Sequence, residues 1–68
     1  MKIEFTDTTY WWVHGKAPRG NGWWFFKFND QEFEATGTLT EAKKKCRAHI
    51  KEVMPKDYVG TIYVSIEP

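Results

Sequence analysis

The 68-residue chain carries ten Lys and Arg and nine Asp and Glu side chains, for a formal net charge of +1. This length predicts a single domain over residues 1–68, because separate hydrophobic cores need about 100 residues each. The near balance of charge disfavours a dedicated duplex-DNA binder, a class that usually carries a strong basic excess. No apolar run approaches the ~20 residues of a membrane-spanning helix. We therefore expect a soluble protein with no membrane segment and no signal peptide.

The single cysteine, Cys46, excludes an intramolecular disulfide, and a free thiol is typical of a reducing compartment such as the cytoplasm. His14 and His49 lie far apart in the chain, so no metal-ligand cluster is predicted. Four Trp, three Tyr and five Phe side chains supply a large buried area per residue. We expect these rings, rather than a disulfide, a metal or a cofactor, to close the core of so small a domain.

The first predicted element is a long strand over residues 2–13. Residues 2–5 alternate polar and apolar side chains, as a half-buried strand does. Residues 10–13, Tyr-Trp-Trp-Val, have the aromatic and β-branched composition of strands. The polar residues between the two segments predict a bulge or kink near Asp7.

A loop and a hairpin come next. Residues 14–22 contain three glycines and one proline, which predicts a long, mobile loop. Residues 23–28 form the second predicted strand and residues 32–35 the third. The Asn-Asp-Gln sequence of residues 29–31 has the composition of a tight turn between them.

The clearest local signal is the helix start. Thr38 and Glu41 have the spacing of a capping box, in which each side chain satisfies a free amide of the first helical turn. The predicted helix runs from about residue 39 to residue 54 and ends before Pro55, which has no amide hydrogen to donate. Residues 61–66 then alternate as a fourth strand.

These elements predict an α+β fold: an antiparallel four-stranded sheet with one helix packed on one face, in the order β-β-β-α-β. The helix and alternate strand residues cover one face of the sheet. The apolar helix stripe comprises Leu39, Ala42, Cys46, Ile50 and Val53, with His49 at its edge. The covered sheet face comprises Trp24, Phe26, Phe28, Phe33, Ile62, Val64 and Ile66.

The opposite face of the sheet should expose Trp23, Phe25 and Tyr63. One of Trp11 and Trp12 should join them, because neighbours on a strand point to opposite faces. A contiguous group of exposed rings usually marks an interaction surface, although the rings could instead stack on one another or lie under the loop. With Lys16 and Arg19 on the loop, the predicted partner-binding residues are Trp11, Trp12, Lys16, Arg19, Trp23, Phe25 and Tyr63.

A basic stripe flanks the apolar face of the helix. Lys43, Lys44, Arg47 and Lys51 lie within about 100° of one another on a helical projection. Basic side chains together with Trp and Tyr rings can bind phosphates and stack bases, so these four are the candidate nucleic-acid-binding residues. A solvated helix face is the alternative interpretation.

Candidate catalytic residues are few, and each has a structural interpretation. Cys46 lies on the apolar stripe, where it acts as a small hydrophobic residue, and His49 packs at the edge of that stripe. Nothing orients His14 in the flexible loop. Glu32 and Glu34 share one face of a strand, where charges usually serve solubility. We therefore expect a non-enzymatic protein without a cofactor.

The hairpin and helix carry a first family resemblance. Residues 24–28 (Trp-Phe-Phe-Lys-Phe), 33–35 (Phe-Glu-Ala) and 38–43 (Thr-Leu-Thr-Glu-Ala-Lys) resemble the layout of AP2-like, integrase arm-type DNA-binding domains over about half the chain. The resemblance implies a sheet in the major groove. Two departures are the additional fourth strand and two carboxylates, Glu32 and Glu34, that would face phosphates. The residues placed at DNA would be Lys16, Arg19, Trp23, Phe25 and Lys27.

A second resemblance covers somewhat more than half the chain. Residues 35–44 (Ala-Thr-Gly-Thr-Leu-Thr-Glu-Ala-Lys-Lys) and 60–64 (Gly-Thr-Ile-Tyr-Val) are similar to the sheet–helix–strand core of short anti-CRISPR inhibitors of type I systems, encoded by phages and mobile elements. It implies a phage-type accessory protein, located in the host cytoplasm, that occupies the surface of a host protein or nucleoprotein complex. This is the leading hypothesis. A nucleic-acid-binding module and a homodimeric structural protein are the alternatives.

Overall fold

The computed structural model describes residues 1–68 as four strands and two helices. The strands form one sheet in the order β1-β4-β2-β3. The α+β class and the four-stranded sheet are confirmed, whereas the single helix is wrong, because the order along the chain is β-α-β-β-α-β. Neither helix has the length and apolar character that crossing a bilayer requires. The elements are β1 (Lys2–Thr6), α1 (Thr8–His14), β2 (Asn21–Phe28), β3 (Gln31–Thr38), α2 (Leu39–Val53) and β4 (Thr61–Glu67).

The predicted strand over residues 2–13 is wrong beyond Thr6, because its second half is the helix α1. Gly15 ends α1 in the left-handed conformation, with φ of 67°, and its amide donates to the Trp11 carbonyl at 2.8 Å. The rings of Tyr10 and His14, one helical turn apart, lie 4.2 Å from each other. Strand propensity is a weak preference, and these helical contacts override it.

The predicted hairpin is confirmed, with longer strands than expected. Asn29 and Asp30 are its two turn residues, with φ of 46° and 62°, and Phe28 pairs with Gln31 on either side. Positive φ at both central positions is the turn geometry that matches the twist of paired strands, and Asn and Asp tolerate it better than most residues.

The predicted helix is confirmed as α2. The amide of Glu41 donates to Thr38 Oγ1 at 3.2 Å, and the Thr38 hydroxyl donates to Glu41 Oε1 at 3.1 Å. At the other end, the Met54 amide donates to the Ile50 carbonyl at 2.9 Å, immediately before Pro55. The helix begins and ends where the capping box and the proline predict, although only Thr38 accepts from an amide, since Glu41 accepts from the Thr38 hydroxyl instead.

The all-antiparallel sheet is also wrong. Strands β3 and β4 are both antiparallel to β2, so they run in the same direction, and α2 joins them across β2. Strand β1 pairs in parallel with β4, from Lys2 opposite Thr61 to Thr6 opposite Ser65. A parallel pair needs a long connection rather than a hairpin, and here almost the whole chain separates the two partners.

The core lies between α2 and one face of the sheet, as predicted. The Trp24 indole nitrogen, at the core margin, donates to the Gly37 carbonyl at 3.2 Å. Three predicted core residues are less buried than expected: Phe33 and Leu39 are half-buried, and Val53 is exposed. The buried residues are Trp24, Phe26, Phe28, Ala35, Ala42, Cys46, Ile50, Ile62, Val64 and Ile66.

Candidate docking surface

The sheet face opposite α2, called the open face here, has no element of the chain over its rings. Trp23, Phe25 and Tyr63 are 61%, 42% and 62% exposed, so the loop before β2 does not cover them. From the pairing register, the open face comprises Lys2, Glu4 and Thr6 of β1; Thr61, Tyr63, Ser65 and Glu67 of β4; Trp23, Phe25 and Lys27 of β2; and Glu32, Glu34 and Thr36 of β3.

The exposed rings of the open face do not form one contiguous group. Trp23 and Phe25 stack with 6.1 Å between ring centroids and 5° between ring planes. The register places Glu67 opposite Phe25, and Tyr63 lies four residues along the strand from Glu67, about 13 Å away. The open face therefore presents one stacked pair and, separately, Tyr63 beside Glu4.

Helix α1 lies at the end of the sheet that carries the stacked pair, since its Tyr10 and His14 line one depression with Trp23 and Phe25, and α1 also carries two exposed tryptophans. Trp11 is 51% and Trp12 is 84% exposed, so the expectation that a strand would bury one of them is wrong. Tyr10 attaches α1 to the domain instead, since it packs on the core with its ring 5.9 Å from that of Trp24.

The loop before β2 reaches the same end. Arg19, together with Tyr10 and His14 of α1 and with Trp23 and Phe25 of β2, lines a shallow depression of about 290 Å³. The Gly20 carbonyl accepts from the Leu39 amide at 3.0 Å, which ties the loop to the start of α2. Lys16 is exposed on the same loop. We call Trp11, Trp12, Trp23 and Phe25 the aromatic end.

The open face is acidic, although the whole chain is slightly basic. Its four carboxylates, Glu4, Glu32, Glu34 and Glu67, outnumber its two lysines. The only ion pair of the structure within 4.0 Å joins Lys2 to Glu4, at 3.1 Å. Glu34 and Glu67 are the cross-strand neighbours of Phe25 on its two sides. Sequence reasoning identified Glu32 and Glu34 but not Glu67, because only the register shows that Glu67 lies beside Phe25.

Two of the four side chains in the predicted basic stripe of α2 contact another residue of the domain. Lys43 Nζ lies 5.4 Å from the centroid of the Phe5 ring, and the Arg47 guanidinium carbon lies 5.0 Å from it. Both side chains therefore shield a half-buried ring of β1 through cation–π contact. Lys44 and Lys51 are exposed and form no ion pair.

Cys46 and His49, two of the candidate catalytic residues, are packed against other side chains of the domain. Cys46 is fully buried, and burial raises the pKa of its thiol to about 11, against the opposing charge of Arg47. A thiol with that pKa carries little thiolate at neutral pH. The His49 ring stacks on Phe33 at 4.7 Å. The structure has no group of three or more His, Cys, Asp or Glu side chains arranged to hold a metal ion.

No protein-family model, curated protein or solved structure matches this chain. The two resemblances described above thus stay expectations carried by short motifs. The geometry and charge of the exposed surface provide the argument for function.

Proposed function

We propose that this protein is a non-enzymatic binding module that docks a partner protein through the aromatic end. The observation that carries the proposal is the exposure of Trp23 and Phe25 on β2 and of Trp11 and Trp12 on α1, the helix whose Tyr10 and His14 line the same depression as Trp23 and Phe25. Small soluble domains rarely leave large apolar patches in water without a partner. Tryptophan is also enriched among the few residues that supply most of the binding energy at protein interfaces.

The aromatic end is held by rigid elements, which supports a docking role. Trp23 and Phe25 belong to β2, where Trp23 pairs with β3 and Phe25 pairs with both β3 and β4. Trp11 and Trp12 belong to a helix that is closed by Gly15 and anchored through Tyr10. Side chains that are already ordered lose less conformational entropy when a partner binds. Arg19 borders this surface; in the proposal, Lys16 on the same loop contributes a further contact, and Tyr63 offers a separate secondary contact.

The most specific form of the proposal comes from the resemblance to short anti-CRISPR inhibitors. In that form, the protein is a phage-type accessory protein that acts in the host cytoplasm as an anti-defence inhibitor. It blocks a host protein or nucleoprotein complex by occupying its surface. This form rests on the quoted motifs, whereas the docking role rests on the exposed rings.

A second candidate function is nucleic-acid binding through α2. The observation that favours it is the excess of positive charge on this helix, where Lys44, Lys51 and the two residues over Phe5 form no ion pair. An AP2-like arrangement is disfavoured, because the open face would bring four carboxylates towards phosphates. A homodimer that buries the aromatic end between two copies is the third candidate.

Affinity capture from a host-cell lysate tests the proposal, with Trp12→Ala and Trp23→Ala as the test variants. Each should weaken capture of the partner about 30-fold, as the loss of a central interface residue does. Val59→Ala is the matched control, since Val59 is an exposed apolar residue at the opposite end of the sheet. Normal capture by both tryptophan variants would exclude the aromatic end as the docking site.

Two further measurements separate the alternatives. Loss of every captured component after nuclease treatment would favour nucleic-acid binding. The affinity of such binding falls steeply with salt concentration on logarithmic scales. Sedimentation over a range of protein concentrations identifies a homodimer. A single nuclease-resistant protein complex that Trp23→Ala no longer captures is the result expected for a docking module.

A further inference from the structure

The stacked pair of the open face lies among uncompensated carboxylates, and we infer that the partner presents a cationic segment, rich in arginine or lysine, to this surface. The inference rests on the proposed docking function and specifies the chemistry of the partner. Phe25 has a carboxylate neighbour on each side, Glu34 from β3 and Glu67 from β4. An exposed ring between two carboxylates suits a cation better than it suits an apolar or an anionic group.

The shape of the surface fits a side chain of this kind. Phe25, Glu32, Glu34 and Glu67 line an open depression of about 670 Å³, bordered by Thr9 of α1. Cross-strand neighbours have Cβ atoms about 5 Å apart, so one guanidinium or ammonium group can contact the ring and a carboxylate together. A planar guanidinium can stack on the ring while its N–H groups donate to carboxylate oxygens.

No cation of the chain lies within 4.0 Å of these carboxylates, although Arg19 lines the neighbouring depression together with Phe25 and Glu67. The Lys2–Glu4 pair is the sole ion pair of the structure, and Lys27, although opposite Glu32 in the register, forms none. Glu67 accepts a hydrogen bond from the Ser65 hydroxyl at 3.2 Å, which supplies no charge. A cationic partner would relieve the repulsion among these groups, whereas a nucleic acid would increase it. The carboxylates therefore select a protein surface over phosphate.

A second copy of the chain is a poorer occupant of this surface. Its densest basic region is α2, where Lys43 and Arg47 lie over Phe5 and Lys45 donates to the Thr36 carbonyl at 3.3 Å. These three side chains would have to leave existing contacts in order to reach the open face of another molecule, which leaves only Lys44 and Lys51 of this helix free to do so. A separate cationic segment requires no such rearrangement.

The test is a nuclear magnetic resonance titration of the ¹⁵N-labelled full chain with two synthetic peptides. One alternates arginine with valine, and the other carries citrulline, an uncharged isostere, at each arginine position. The arginine peptide should shift the Trp23 indole resonance and the amides of Phe25 and Glu34. The citrulline peptide should bind about 3- to 10-fold more weakly, the effect expected when two exposed charge pairs are lost.

The matched protein variants are E34Q/E67Q, which removes both charges next to Phe25, and E52Q, which removes one exposed charge on α2. The double variant should lose the preference for arginine, and E52Q should keep it. Equal binding of the two peptides, unchanged binding by E34Q/E67Q, or no shift on the open face would each overturn the inference. Shifts produced by an oligothymidylate, or by raising the protein concentration alone, would overturn it in favour of nucleic acid or a second copy.

Failure of this inference is distinguishable from failure of the docking function. If Trp23→Ala abolishes partner capture while E34Q/E67Q captures the partner normally, the docking function is supported and the inference of a cationic partner segment is overturned. If neither the Trp12→Ala nor the Trp23→Ala variant changes capture, the docking function itself is excluded.

Discussion

The two faces of β2 carry the same kinds of residue and have opposite environments. Trp24 and Phe26 are 6% and 1% exposed, whereas their neighbours Trp23 and Phe25 are 61% and 42% exposed. The cause is that α2 covers one face of the sheet only, and side chains alternate along a strand. Aromatic content alone thus does not show what a ring does. The face to which it points decides between core and surface.

The largest expected effect comes from truncating one ring on each face. Phe26→Ala should destabilise the fold by about 3–5 kcal/mol, because it leaves a cavity in a packed core. Phe25→Ala should cost less than about 1 kcal/mol, since a partly exposed ring loses mainly its stacking with Trp23. Urea denaturation followed by circular dichroism measures both.

A loss that large could leave Phe26→Ala unfolded, because a domain of this size has only about 3–10 kcal/mol of stability. Phe26→Leu retains most of the apolar volume and should remain folded with a measurable loss. Similar losses for the leucine variant and for Phe25→Ala would contradict the distinction between the two faces.

The next effect concerns the covered face and pH. The pKa of Cys46 rises from 9.0 to about 11 on burial, so the folded state holds the thiol proton more tightly than the unfolded state. The resulting contribution of Cys46 to the free energy of unfolding is fully present below about pH 9 and is lost as the pH rises to about 11. The expected loss is on the order of 2 kcal/mol.

Cys46→Ala provides the control for other groups that titrate in the same range. Its free energy of unfolding should decline less between about pH 9 and about pH 11 than that of the natural chain. If the free energy of unfolding declines equally in both proteins, burial does not protect the Cys46 thiol from ionisation.

A smaller effect is expected at the start of α2, the element that makes the two faces different. Thr38→Ala removes the side-chain acceptor of the Glu41 amide and should cost about 1 kcal/mol. Thr38→Ser should retain most of that stability. Thr40→Ala, at an exposed position in the first turn, should be neutral or slightly stabilising. Thermal unfolding of the three variants tests this order.

The smallest expected effect on stability is at Trp12. Since this side chain is almost entirely in water, Trp12→Ala should change the free energy of unfolding by no more than about 0.5 kcal/mol, although partner capture should fall strongly. Chemical denaturation and capture measured on the same preparation compare the two quantities. A large loss of stability would mean that Trp12 serves packing.

Much of the candidate site was predictable, and its arrangement was not. Alternation along β2 was enough to predict that Trp23 and Phe25 are exposed. The same alternation, applied to Trp11 and Trp12, was wrong, because these residues lie on a helix. A local signal for α1 existed: Asp7 before the segment and Gly15 after it are typical of helix ends. The prediction that Tyr63 lies next to the stacked pair was wrong. The distance between them depends on the register of β4 on β2, which the sequence does not show.

Local chemistry was sufficient to predict the hairpin turn at Asn29 and Asp30, the start of α2 at Thr38, and the alternating faces of β2 and β4. Those features depend on residues within a few positions of one another. The parallel pairing of β1 with β4 and the placement of Glu67 beside Phe25 depend instead on contacts between distant parts of the chain. Such contacts form only when the whole sheet assembles, since no short segment contains both partners.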